Sequence, residues 1–89
     1  MTRVEAVRDI LQELTRAEVK FPEWPQDPIH AAAIVAEESG ELTRAALQST
    51  YEGGDPAAMK KEAIHTATMA LRFLLHDYAA AVRDFNQIK

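Results

Sequence analysis

The sequence has no cysteine, which excludes disulfides, thiolate metal sites and cysteine nucleophiles. It has no apolar run approaching a membrane span, and its opening Met1-Thr2-Arg3-Val4-Glu5 lacks the apolar core of a signal peptide. A soluble cytoplasmic protein with no membrane partner is the expectation. Positive charge is in short supply too: 14 acidic residues face 10 basic ones, net −4, so no basic patch is on offer to nucleic-acid phosphates. Strand alternation, internal repeats and low-complexity tracts are also missing. What remains is room for a single domain, 1–89, whose 47% hydrophobic and 27% charged residues are ordinary for a folded protein. A helical domain this small often completes its core by pairing with a copy of itself.

The pattern predicts an all-α chain of three main helices, forming a four-helix-bundle-type core through oligomerisation. Thr2 and Glu5 have the spacing of a capping box. Val4, Val7, Leu11, Leu14 and Glu18 then follow at steps of three and four, which draws one mainly apolar stripe to about Ala17. Three prolines between Phe21 and Pro28 forbid regular helix, and Asp27-Pro28 is a cap followed by proline at the favoured first position. The second helix is expected from Pro28 to about Thr50. After the Gly53-Gly54 turn, Asp55-Pro56 repeats the start signal. The third helix is expected from Pro56 to about Phe85, with a seam through Ile64, Thr68, Leu71, Leu75, Tyr78, Val82 and Phe85.

Carboxylates fall where a core belongs. Ile34, Ala45, Ala31, Leu42 and Val35 define the apolar face of the second helix; Glu38 lies between Ile34 and Leu42, Glu41 to one side and Glu37 at the edge. Such charges are expensive to bury unless they are paired or bind a cation. The third helix carries a second stripe, Glu62, His65, Met69, Arg72 and His76, in which Glu62 and His65 project together. Antiparallel packing of the two helices lets Glu38, Glu41, Glu62 and His65 converge, an oxygen-rich set suited to Mg²⁺ or Mn²⁺. The plainer reading is a solvated acidic face, with His65 as an amphipathic flank, Trp24 as a plug over helix ends, and Lys60 and Lys61 in solvent.

Glu37-Glu38-Ser39-Gly40-Glu41-Leu42 resembles the E-E-x-x-E signature of the MazG-type all-α nucleoside triphosphate pyrophosphohydrolases. Glu62-Ala63-Ile64-His65 occupies the place of that family's E-x-x-D, and the stretch from Glu62 to Leu74 is similar to a small MazG-like branch of phages and bacteria. The resemblance implies a homo-oligomer, dimer or tetramer, that hydrolyses a nucleoside triphosphate to monophosphate and pyrophosphate with Mg²⁺ or Mn²⁺. By position it makes Glu38, Glu41, Glu62 and His65 metal ligands and Glu37 a further ligand or the catalytic base. It leaves Trp24, Arg72 and Lys61 as substrate contacts. His65 stands where the family has aspartate, and an imidazole favours Mn²⁺, Fe²⁺ or Zn²⁺ over Mg²⁺. Two other readings stay open. One is a MazG-like oligomer that binds nucleotide or protein without turnover; the other is a di-iron carboxylate bundle, which also uses the Glu-x-x-His spacing.

Overall fold

The computed structural model describes residues 1–88, and they form four helices: α1 Arg3–Lys20, α2 Pro28–Tyr51, α3 Ala57–Leu75 and α4 Tyr78–Ile88. The start signals work as their chemistry dictates. Thr2 and Glu5 exchange reciprocal side-chain-to-backbone hydrogen bonds, both 3.1 Å. The Asp27 carboxylate accepts from the Ile29 N–H at 3.0 Å with Pro28 in the first turn, and Asp55 accepts from the Ala57 N–H at 3.0 Å. The intervening turn needs glycine twice. Gly53 has φ +72°, and a Cβ on Gly54 would stand 3.0 Å from the Gln48 backbone.

Helix α3 is the central element, packed against both α2 and α1. Among the described residues the buried ones are few and mostly small: Ala17, Ala31, Ala45 and Thr68, with Leu14, Arg72 and Tyr78. Alanines at the contact let helix axes approach closely. Thr68 turns its hydroxyl back onto the Ile64 carbonyl at 2.8 Å, which satisfies a polar group with no access to water.

Two expectations are corrected. The third predicted helix is two helices, broken at His76-Asp77. His76 adopts an extended backbone (ψ 134°), and Asp77 accepts from the Ala80 N–H at 3.2 Å, so a new helix starts there. The break turns Tyr78 into a buried position, its ring against Phe73 and His76 with centroids 4.8 and 4.3 Å apart. Its hydroxyl donates to the Pro25 carbonyl at 2.6 Å. Tyr78→Phe is therefore expected to cost about 1 kcal/mol, or roughly 4–8 °C in melting temperature, which thermal denaturation followed by circular dichroism checks.

The second correction concerns α1. Of the predicted stripe only Leu14 is buried; Val4 is 77% exposed and Leu11 50%. The face that packs is rotated around the helix to Ala6, Ile10, Glu13, Leu14 and Ala17. Helix α1 thus has an inner and an outer apolar face, and Val4, Val7 and Leu11 line a shallow hollow of about 650 Å³ on the outside. On α3 the second stripe, from Glu62 to His76, is buried or half-buried, as is most of the seam up to Leu71. A helix with two packed neighbours covers two stripes within the same chain.

The loop after α1 is tied to α3 and α4. Arg72, 8% exposed, donates from Nη2 to the Phe21 carbonyl at 2.8 Å, and its guanidinium lies 4.8 Å from the Trp24 ring centroid. With Tyr78 on Pro25, this fixes the Phe21–Pro25 segment across the end of the α1–α3 pair.

Candidate metal centre

Three helices contribute to one polar cluster. Glu38 projects from α2 along the line of Ile34 and Leu42, so its place on the inward face follows from helical spacing alone. Glu62 and His65, three residues apart on α3, meet it. One ligand atom from each of Glu38, Glu62 and His65 lies within 4.8 Å of the others. The His65 Nδ1 is 3.6 Å from Glu62 Oε2 and 4.0 Å from Glu38 Oε2. A fourth residue comes from α1: Glu13 Oε1 stands 3.4 Å from His65 Nε2.

The electrostatics are unbalanced on one side. Glu38 Oε2 and Glu62 Oε2 are both shut off from solvent without a hydrogen-bond donor. Burial, together with the Glu41 charge, pushes the Glu38 carboxyl above the ordinary carboxylate range; Glu62 and Glu37 add to this and His65 opposes it. Glu13 is the reverse case. Arg16 Nε and Nη2 reach its two oxygens at 2.8 and 2.5 Å, and this fork holds the Glu13 carboxyl below its ordinary value. Two orphaned carboxylate oxygens beside an imidazole nitrogen fit a divalent cation. A mixed oxygen and nitrogen set of this kind suits Mn²⁺, Fe²⁺ or Zn²⁺ better than an all-oxygen Mg²⁺ site.

The remaining sequence candidates divide around this cluster. Glu37 and Glu41 are exposed on α2 and outside it, because α3 packs against the Ile34–Glu38–Leu42 line and these two point past its edge. A Cβ on Gly40 would meet nothing within 4 Å, so within the chain nothing uses the space that glycine leaves. Trp24 and Arg72 line a hollow of about 390 Å³ with Phe21, Ile34 and Met69, and Glu38 and His65 form its polar wall. The Trp24 Nε1 donor is buried there without a partner. Lys61 and Lys60, both exposed, line a second hollow of about 480 Å³ with Arg16, and Glu13 and His65 border this one too. The cluster therefore sits between an aromatic hollow and one in which Lys60 and Lys61 face Asp9 and the Arg16–Glu13 pair.

Glu13 is masked in the sequence because the outer stripe of α1 is the more hydrophobic. Its signal was positional: it lies three residues after Ile10 and four before Ala17, on the face that packs. Comparison with protein families, curated proteins and solved structures finds no match for this chain.

Proposed function

We propose that the protein is a metal-dependent nucleoside triphosphate pyrophosphohydrolase, working as a homo-oligomer with Mg²⁺ or Mn²⁺. The observation that carries this reading is the Glu38–Glu62–His65 cluster, with two buried carboxylate oxygens that lack donors, at the junction of an aromatic hollow and one that Lys60 and Lys61 line. The residues suggest a division of labour. Glu38, Glu62 and His65 hold the cation. Lys60 and Lys61 offer positive charge to the phosphate chain, while Trp24 offers a ring to the base. The cation, when bound, neutralises phosphate charge and acidifies a bound water. Water adds at the α-phosphorus as the bond to the α–β bridging oxygen breaks, giving monophosphate and pyrophosphate; positioning and charge neutralisation carry most of such a reaction. The base role expected of Glu37 has no support from the single chain, where that side chain is exposed.

An oligomer is supported by the outer face of α1, where Val4, Val7 and Leu11 are left uncovered. The second stripe of α3 gives no such support, since within the chain it is already buried or half-buried. Light scattering is expected to give a dimer or tetramer mass; a 9.9 kDa species would remove the oligomer from the proposal.

The test of the activity is a turnover panel of ribo- and deoxyribonucleoside triphosphates with Mg²⁺ and with Mn²⁺. Monophosphate plus pyrophosphate from any of them is the expected result, and orthophosphate alone would contradict the proposed bond cleavage. Exposure of Glu37 and Glu41 favours a second reading, a nucleotide-binding oligomer without turnover. On that reading the folded oligomer binds triphosphate, cleaves nothing, and gains activity in His65→Asp.

A further inference from the structure

His65 is not simply near the carboxylates; its two ring nitrogens face different ones. Nδ1 points to Glu38 and Glu62, the pair with orphaned oxygens, and Nε2 points to Glu13. A neutral imidazole carries one N–H and one lone pair, and only the lone pair can bind a cation. Two carboxylates on the Nδ1 side would by themselves draw the proton to Nδ1 and spoil the ligand. Glu13 supplies the competing acceptor. Its Oε1, 3.4 Å from Nε2, is the nearest of the three carboxylates to the ring, and the Arg16 fork fixes the group in place. At 15% side-chain exposure Glu13 is largely withdrawn from water, whereas Arg16, at 54%, lies at the surface.

We infer that Glu13, anchored by Arg16, is a positioning residue that keeps the His65 proton on Nε2 and turns the Nδ1 lone pair toward the cation held by Glu38 and Glu62. This rests on the cation-site reading above and assigns to α1 a part in the site that the helix α2 and α3 motifs do not contain. Carboxylate partners of this kind set the tautomer and basicity of histidine ligands generally, and their loss weakens metal binding by roughly 10–100-fold. A carboxylate in place of His65 has no tautomer to set. The Glu13 requirement is thus specific to histidine at position 65.

The experiment is calorimetric titration of the purified chain with Zn²⁺, a diamagnetic probe, beside long-range ¹H–¹⁵N spectra of the histidine rings, with His65 assigned by its absence in His65→Asp. Glu13→Gln, nearly isosteric, is expected to raise the Zn²⁺ dissociation constant roughly 10–100-fold. In the His65→Asp background the same change is expected to act by less than about twofold, because the coupled partner is gone. The zinc-loaded parent should show Nδ1 bound to metal and Nε2 protonated, a readout that needs no Glu13 variant to fold. Unchanged affinity in Glu13→Gln, an equal loss in both backgrounds, or zinc on Nε2 would overturn the inference while leaving the cation site standing. Zinc that leaves the His65 resonances of the parent unmoved would instead remove the cation site itself, and the positioning role with it.

Discussion

Arg72→Ala is expected to lower the stability of the fold by about 3 kcal/mol, or roughly 12–24 °C in melting temperature. Three losses combine. A charged hydrogen bond to the Phe21 carbonyl disappears, normally worth about 1.5–3 kcal/mol. The cation over the Trp24 ring goes, at roughly 0.5–1 kcal/mol, and the aliphatic stem of a buried side chain leaves a void between α3 and the loop. Against a total stability of about 5–15 kcal/mol for a domain, this is a large fraction. Thermal unfolding checks the magnitude, and Trp24 fluorescence checks the cause, because the ring should become more exposed and its emission move to longer wavelength. A drop below about 1 kcal/mol would mean that the loop is held mainly by Tyr78 on Pro25.

Glu38→Gln is expected to change stability in opposite directions with and without metal. The folded-state acidity of Glu38 is weakened, chiefly by burial and by Glu41. A carboxyl whose value is raised on folding favours the fold below its ordinary value of 4.5, and that contribution is lost as pH rises through the raised value. At neutral pH the ionised Glu38 therefore weakens the metal-free fold. Removing its charge should raise the metal-free melting temperature at about pH 7 and leave little gain at about pH 4, where the parent side chain is protonated. With metal the order reverses. A cation at 100 times its dissociation constant stabilises the parent by about 2.7 kcal/mol, roughly 11–22 °C, and Glu38→Gln forfeits most of it. Glu62→Gln should lose the same metal response, since its Oε2 is the other donorless oxygen. Melting curves with and without Mn²⁺ at both pH values check the set. A metal-free Glu38→Gln variant less stable than the parent at pH 7 would show that His65 already compensates the carboxylate.

Much of the architecture was legible because short-range chemistry wrote it. Thr2, Asp27 and Asp55 cap the three helices whose starts the sequence marks, and Ala31, Ile34, Glu38 and Ala45 share a face because 3.6-residue spacing allows nothing else. The i, i+3 pair Glu62 and His65 follows from the same arithmetic. What was not legible depends on choices between nearly equal alternatives. Helix α1 has two apolar faces, and the less hydrophobic one, through Ala17 and Leu14, packs against α3. The His76-Asp77 break interrupts a continuous apolar seam; the Asp77 cap on Ala80 is local, but the bond from Tyr78 to Pro25 that joins it spans 53 residues and has no local signal. Glu13 was hidden for the first of these reasons. Glu37 and Glu41 share a motif with Glu38 in sequence, but they lie about 100° and about 60° round α2 from it, both on the same side, and that side stays exposed.

On the proposed function, Glu38, Glu62 and His65 form one divalent-cation site. Electron paramagnetic resonance of free Mn²⁺, recorded during titration into the parent chain and into Glu62→Gln, tests it most directly. The parent should remove Mn²⁺ signal saturably, and Glu62→Gln should leave the signal close to that of buffer while keeping its helical circular dichroism. Equal uptake of Mn²⁺ by both proteins, or none by the folded parent, would contradict the account.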